Sequence, residues 1–376
     1  MFKDDVVLQL SKPISSVSDY IAAIKIITNK KQASNRIFVY RGETQRYENS
    51  FCTPNIFRRN YLSSNFLYEK GLFNSMRQNK LTHTSSYLEN AIDAQHGEFP
   101  SRLLDVSYNC LMALYFAVTP YYHKSSDAFD DVDGMVYVFY IDDIYSPSAT
   151  NTTRNYDAII NKNISWFSGQ AIFQKNHKFI DHAKLNNRII AQQGAFILFQ
   201  GDDAEKIPTH MMNGLIIPST SKKAIREELS IMFGINTGSV YPEIVNLVAD
   251  ITDKSRMLIT EDFTWQSEIR LVIKTLKKEL DYFTTYLKNY DKDKNKLEFY
   301  EAIQLIEHII NSYRVGLIKF YNDFSTFNID NYESQRHDLK QLLNIYDETI
   351  NSFRSDMLIL YNSAISEGLN INLKEE

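Results

Sequence analysis

A dense cluster of polar residues lies immediately ahead of one of the most apolar stretches in the sequence. The apolar stretch runs from 110 to 118, and the cluster comprises, within eleven residues, Gln95, His96, Ser101, Arg102 and Asp105. A buried polar group without a partner costs about 1–3 kcal/mol, and a lone buried charge costs more. We therefore expect these side chains to bond one another, with an Arg102–Asp105 pair as one arrangement.

Arg41 is a second candidate, because it ends a β-forming run and precedes Gly42. Glycine permits a backbone turn that other residues resist, and a guanidinium presents a fork of donors that suits a carboxylate or a phosphate. A single arginine in this position is typical of a structural ion pair. In the company of the cluster at 95–105, Arg41 indicates a shared polar site instead.

His96 is the member of the cluster best suited to proton transfer, because the reference pKa of histidine is about 6.5. A single histidine is more often a hydrogen-bonded structural residue. The other histidines show no H-x-x-x-H spacing, and Cys52 and Cys110 form no C-x-x-C pair. We predict no metal site, and no P-loop, G-x-G-x-x-G or G-x-S-x-G motif occurs.

Short β-forming runs bounded by Gly, Asn or Pro alternate with helical segments through the first two-thirds of the chain. The runs read RIFVYRG, GMVYVFYI, NRIIAQQGAFILF and NGLIIP. Helices are predicted over Tyr108–Tyr121 and Lys222–Phe233. This pattern predicts an α+β domain, a mixed sheet with flanking helices, over residues 1–255, with the alternative that it extends to 273.

From residue 274 onward the apolar residues recur every three or four positions. Three such sets begin at Leu276, Leu297 and Leu339, with breaks at 291–295 and 326–331. This period predicts an antiparallel helical bundle over 274–376. A packed bundle with a solvated face is the simplest interpretation, and a bundle of this length can also dock a partner protein or a second copy of the chain.

The composition limits the classes of partner. The 376 residues include 41 Lys plus Arg and 46 Asp plus Glu, a formal net charge of -5, which does not favour general nucleic-acid binding but leaves a local basic cleft open. The start MFKDDVVLQL lacks the cationic region of a signal peptide. The longest apolar run is far shorter than the roughly 20 residues that span a bilayer. We expect a cytoplasmic protein without a membrane partner.

Four ordered motifs resemble those of the FRG family of bacterial domains, named for a Phe-Arg-Gly motif. Tyr40-Arg41-Gly42 is similar to that motif, and a second signature is matched by Gln95-His96, Pro100 to Asp105 and then ALYFA at 113–117. RIIAQQGAF at 188–196 and YPEI at 241–244 are similar to two later elements. The resemblance extends over residues 15–255 and leaves the C-terminal region uncovered. It implies a candidate role in phage defence or a toxin-type system.

The order of three residues is also similar to the Arg, Ser, Glu arrangement of ADP-ribosyltransferases. That resemblance implies NAD as a substrate, with Arg41 on the pyrophosphate, Ser101 on the nicotinamide ribose and Glu268 on the ribose 2'-hydroxyl. Gln266 and Glu268 fit the Q-x-E element of such enzymes, within a segment that reads equally well as a strand or as a helix start.

The alternative is a binding or sensor module without catalysis. Its polar network, which either fixes the fold or recognises a phosphate-bearing ligand, would comprise Arg41, Gln95, His96, Arg102, Asp105 and Gln193. A metal-independent nuclease that uses His96 and Arg41 is a third hypothesis, and it lacks an evident second acid or base.

Overall fold

The computed structural model describes residues 6–31, 36–58, 68–82, 86–96, 99–120, 128–162, 170–181, 187–202, 204–256, 263–289, 296–326 and 332–359, with 258, 362 and 366. The chain divides into two compact units, Met1–Leu258 and Ile259–Glu376. The first unit contains a mixed sheet with helices and the second is helical. The predicted α+β class is confirmed.

The sheet of the first unit has seven strands within the described residues: β1 Ile37–Glu43, β2 Leu103–Ser107, β3 Gly134–Ile141, β4 Ile144–Tyr145, β5 Lys178–Ile180, β6 Gly194–Leu198 and β7 Met212–Ile217. Their order across the sheet is β4-β5-β6-β2-β1-β3-β7. Strands β4 and β5 are parallel, and the other neighbours are antiparallel. The sheet is therefore mixed, as the sequence predicts.

The helices of the first unit are α1 Val17–Lys31, α2 Asn55–Arg58, α3 Tyr68–Gln78, α4 Tyr87–His96, α5 Cys110–Val118, α6 Thr150–Ile160, α7 Ala171–Gln174, α8 Asn187–Gln192, α9 Lys222–Phe233, α10 Thr237–Val240 and α11 Ile244–Ser255. Helix α5 begins where the Asn109 side chain accepts a hydrogen bond from the Leu111 amide, which satisfies one of the free N–H groups of the first turn. Helix α9 ends at Gly234 in the left-handed conformation.

One predicted strand is partly wrong. In the run NRIIAQQGAFILF, only Gly194–Leu198 forms a strand, whereas Asn187–Gln192 forms helix α8. Isoleucine is enriched in strands, but β-propensity depends strongly on context, and the tertiary surroundings override it here. The turn between the two elements places Gln193 at a φ of 48°.

Apolar side chains cover both faces of the sheet. Tyr40, Val136 and Leu215 pack with helices α1, α5 and α9 on one face. On the other face Val39 and Phe139 form a second cluster. Helices α3, α4, α6 and α8 pack over the part of the sheet that contains β5, β6 and the start of β2. Two groups of helices thus cover neighbouring parts of the sheet, with β2 near the division between them.

Strands β1 and β2 barely pair at this division. Tyr40 with Ser107 is their single register pair, whereas β1 pairs with β3 at seven positions. Just beyond it, Arg41 Nη1 donates a 2.7 Å hydrogen bond to the carbonyl oxygen of Asp105. A side chain therefore bridges two central strands where the backbone ladder is almost missing.

Gly42 lies directly against the backbone of helix α5. A Cβ atom at this position would overlap the carbonyl oxygen of Ala113 and lie 2.7 Å from the amide nitrogen of Ala117. A Cβ at Gly134 on the neighbouring strand β3 would overlap the Ala117 carbonyl oxygen. The small residues of the ALYFA motif and these two glycines thus allow unusually close contact between helix and sheet.

The second unit contains the helices α12 Trp265–Asn289, α13 Lys296–Asp323 and α14 Tyr332–Asp356. Tyr346 donates a hydrogen bond to the Ile310 carbonyl oxygen and Arg354 donates to Glu307, so the contacts move back along α13 as α14 advances and the two helices run antiparallel. Trp265 packs on Phe324 and places the start of α12 beside the end of α13. The predicted break at 291–295 lies outside the described residues, as does the break at 326–331 except for Thr326, which ends a 3-10 turn at Phe324–Thr326. No helix in the described ranges is both long and apolar enough to cross a membrane.

The close contact at Gly42 generates a stability prediction. We expect Gly42→Ala to destabilise the first unit by about 1–3 kcal/mol or more, because backbone atoms would have to move. Gly71→Ala in α3 is the matched control: nothing lies within 4 Å of its Cβ position, and we expect no loss. Urea unfolding followed by circular dichroism measures both, and equal midpoints would contradict the contact.

Candidate functional site

A cavity of about 290 Å³ opens where β1 and β2 diverge. Its first wall comes from β1, α2 and the loop between them and contains Arg41, Glu43, Thr44, Tyr47, Asn55 and Arg58. Its floor comes from β2 and β6 and contains Asp105, Val106, Ser107, Gly194, Ala195 and Phe196. Its second wall contains Phe116, Thr119, Arg188, Ile189, Gln192 and Tyr241. All of these residues belong to the first unit.

The first wall is organised by the buried carboxylate of Glu43. Its Oε1 atom accepts hydrogen bonds from Arg41 Nε at 3.1 Å and from Arg58 Nη2 at 3.2 Å. The backbone amide of Cys52 donates to the same oxygen at 3.1 Å. Arg58 is fixed further by a hydrogen bond from its Nε to the Thr53 carbonyl oxygen. One carboxylate therefore holds two guanidiniums side by side.

The two guanidiniums retain positive character and unused donors. Burial and the charge of Arg41 lower the pKa of Arg58, although an arginine stays protonated at neutral pH. Their side chains remain 18% and 23% exposed. Arg41 Nη2 and Arg58 Nη1 make no hydrogen bond to any described residue. Like charges held this close favour an anion that accepts from both.

The second wall combines a guanidinium with aromatic rings. The guanidinium of Arg188 lies over the Tyr241 ring, 4.5 Å from its centroid, and Phe116 meets the same ring edge-on at 6.3 Å. Gln192 Nε2 donates to the Val240 carbonyl oxygen, and Ser107 donates to the Gln192 carbonyl oxygen. These contacts tie helix α8 to the segment before Tyr241 and to the floor.

Asp105 lies in the floor between the charged walls. Its side chain is exposed even though its strand neighbours are buried, as expected for a residue that opens into a cavity. Desolvation by the surrounding walls of the cavity raises the pKa of Asp105, and the charges of Arg41 and Arg188 oppose that rise. Its carboxylate makes no hydrogen bond within the described residues. A carboxylate that is raised in pKa and left unpaired in a cleft is a candidate functional group.

Arg102 pairs with the buried Glu69 and not with Asp105, the partner that the sequence offered as one arrangement. It is fully buried, and its guanidinium donates to Glu69 Oε2 and to the Phe199, Gln200 and Gly201 carbonyl oxygens. Its only described carboxylate partners within 4 Å are Glu69 and the more distant Asp202. These contacts join α3 to the end of β6.

The remaining predicted site residues are placed as follows. Gln95 lines the cavity and donates to Ser101 Oγ at 2.8 Å, whereas Ser101 is buried behind it. Gln193 is exposed in a turn, and its neighbour Gln192 lines the cavity instead. Glu268 lies in the first turn of α12 in the second unit. His96 is the last residue of α4, and its side chain lies outside the described residues.

The predicted site lacked most of the residues that line the cavity, among them Glu43, Arg58, Arg188, Gln192 and Tyr241. Arg188 and Gln192 are four residues apart and therefore share one face of a helix, a signal that reading their segment as a strand concealed. Glu43 follows Arg41 by two residues, which places both on one side of β1. No local pattern in the sequence identifies Tyr241 as a site residue.

The Arg41-Gly42 pair, the strand containing Asp105 and the ALYFA helix thus meet around one cavity. Residues 36–126 match the family model described as FRG domain. The chain contains an FRG domain. No curated protein and no solved structure matches the chain. The matched range supplies the first wall and part of the floor, whereas Arg188, Gln192, Gly194 and Tyr241 lie beyond it. The cavity is therefore completed by residues outside the matched FRG range.

No three His, Cys, Asp or Glu side chains in the described part of the chain are grouped as ligands for a metal ion. The cavity instead offers guanidinium and amide donors, which suit an anion.

The buried pair of Arg102 and Glu69 generates a second stability prediction. We expect Arg102→Met to destabilise the first unit by about 3–5 kcal/mol, because it leaves the Glu69 carboxylate buried without its partner. The double variant Arg102→Met, Glu69→Met should recover much of that loss, since no unpaired charge remains. Urea unfolding measures both, and a double variant as unstable as the single one would argue against the pair.

Proposed function

We propose that the FRG-containing unit is a recognition module that binds a small molecule bearing a phosphate or a related anionic group. The observation that carries the proposal is the fixed pair of guanidiniums on the first wall. Glu43 orients Arg41 and Arg58, and each retains a donor that no described residue occupies. Arginine forks match phosphate oxygens in geometry as well as in charge.

The volume of the cavity and the net charge of its lining support a small anionic ligand. Its volume of about 290 Å³ lies at the lower end of the range of ligand-binding cavities. Three arginines and two carboxylates line it, so the lining carries an excess of positive charge. The whole chain is acidic by contrast, with a formal net charge of -5. The positive charge is thus concentrated locally, as a specific anion site requires.

The ADP-ribosyltransferase hypothesis shares Arg41 with this proposal but gains no support from its other two residues. Ser101 Oγ already accepts hydrogen bonds from Gln95 and from the Leu103 amide, and its side chain is buried. Glu268 lies in the first turn of a helix of the second unit. We therefore favour recognition of an anion over transfer of ADP-ribose.

The proposal is tested by calorimetric titration with inorganic pyrophosphate. We expect the wild-type protein to bind, and Arg41→Ala and Arg58→Ala each to weaken binding by about tenfold to a hundredfold, because each removes a charged hydrogen bond. Arg36→Ala is the matched control: Arg36 precedes the same strand and pairs with exposed Asp142, outside the cavity lining.

Two outcomes would overturn the proposal. One is that wild-type protein binds neither pyrophosphate nor any phosphorylated compound at millimolar concentration. The other is transfer of label from NAD to protein by the wild type and not by Arg41→Ala, which would instead establish the transferase.

The raised pKa of Asp105 generates a prediction for pH. Above that pKa the carboxylate is charged and repels an anion in the cavity; as the pH falls through it, Asp105 becomes neutral and the repulsion is lost. We therefore expect sulfate, a dianion across this pH range, to bind more tightly as the pH is lowered. Asp105→Asn should bind more tightly than wild type at neutral pH and lose most of this dependence. Titrations in a series of buffers check it, and identical pH profiles would contradict it.

A further inference from the structure

The carboxylate of Asp105 is the least explained group in the cavity. It opens into the site, yet it makes no hydrogen bond within the described residues, while its own backbone carbonyl accepts from Arg41. A carboxylate in an anion site weakens the binding of any simple anion. Its presence is accounted for if the ligand donates hydrogen bonds to it.

The charges around Asp105 restrict what that donor can be. The positive charges of Arg41 on β1 and Arg188 on α8 both oppose the rise in the pKa of Asp105 that desolvation causes. A cationic donor such as an ammonium group would be repelled by these two guanidiniums, whereas a neutral hydroxyl would not. Hydroxyl groups are therefore the donors that fit this position.

The second wall adds an apolar, aromatic element. Phe116 and Tyr241 both line the cavity and contact each other edge-on, and Arg188 is stacked on Tyr241. Aromatic rings and guanidinium planes are the surfaces on which nucleobases stack. The cavity thus presents three chemistries: an anion site, an acceptor for neutral donors and an aromatic surface.

We infer that the ligand is a ribonucleoside monophosphate. This inference rests on the proposed function and deepens it. The phosphate binds Arg41 and Arg58, the ribose hydroxyls donate to Asp105, and the base contacts Phe116 and Tyr241. A carboxylate that accepts from ribose hydroxyls is a recurrent device of nucleotide-binding proteins. The small volume of the cavity favours a mononucleotide over a dinucleotide.

The test is a calorimetric comparison at fixed pH and salt. The probes are the four ribonucleoside 5'-monophosphates, their 2',3'-dideoxy counterparts, ribose 5-phosphate and inorganic phosphate. We expect at least one ribonucleotide to bind wild-type protein about tenfold or more tightly than its dideoxy counterpart, because the hydroxyls bond a charged acceptor. Asp105→Ala should abolish that preference.

A comparison of wild type and Asp105→Ala with both the ribonucleotide and its dideoxy counterpart separates a loss of specificity from damage to the site. In Asp105→Ala, affinity for the ribonucleotide should fall while affinity for the dideoxy compound stays the same or rises, because a repulsive charge has been removed. Pyrophosphate binding by the variant shows that the anion site is still folded. Asp142→Ala is the control for loss of an exposed carboxylate outside the cavity.

The outcomes separate this inference from the proposed function. If pyrophosphate binds through Arg41 and Arg58 but ribonucleotides and dideoxynucleotides bind equally, or if the preference persists in Asp105→Ala, the inference is wrong and the anion site stands. If no phosphorylated compound binds wild-type protein, both fail.

Discussion

The close approach of Gly42 to helix α5 is the constraint on which the candidate site depends. Because side chains alternate along a strand, seating position 42 against the helix directs positions 41 and 43 to the opposite side of β1. The two charged residues of the site, Arg41 and Glu43, are therefore oriented by a residue that has no side chain. The ALYFA helix contributes through Ala113 and Ala117, whose backbone atoms contact the glycine position. Two motifs of the FRG resemblance, Tyr40-Arg41-Gly42 and ALYFA, therefore pack against each other.

Orientation alone does not explain why the charges stay near each other. A buried carboxylate is costly, and Glu43 offsets that cost with three donors on a single oxygen while its Oε2 atom is buried without a hydrogen bond to a described residue. The single negative charge of Glu43 does not neutralise the positive charges of both Arg41 and Arg58, so the first wall keeps a net positive charge. An anion would relieve the repulsion between Arg41 and Arg58 that contributes to the lowered pKa of Arg58. Such incompletely satisfied polar groups are concentrated at functional sites more than in structural cores.

The periodicity of apolar residues in the sequence predicted most of the helices and strands. The sequence predicted the site only in part, because its residues come from distant segments of the chain. Strands β1, β3 and β7 and helices α5 and α9 follow from local pattern and end signals. Arg41, Gln95 and Asp105 were identified as site residues and do line the cavity. The partner of Arg102 could not be predicted, because Glu69 lies 33 positions away on a helix whose sequence pattern gives no sign of the contact. Arg188 was missed because its segment was read as a strand.

The different roles of Arg102 and Asp105 depend on whether the segment that follows Arg102 is a strand or a helix. Their proximity in sequence suggested a pair at the start of a helix, but residues 103–107 form a strand. Asp105 lies within this strand, on the face opposite to Leu104 and Val106, whereas Arg102 lies in the bend before the strand. Arg102 is buried in the core, where Glu69 and three carbonyl oxygens accept its hydrogen bonds. Asp105 is directed into the cavity, where no described partner meets it. Two charges three residues apart thus differ in role, because one is enclosed by buried partners and the other opens into a cavity.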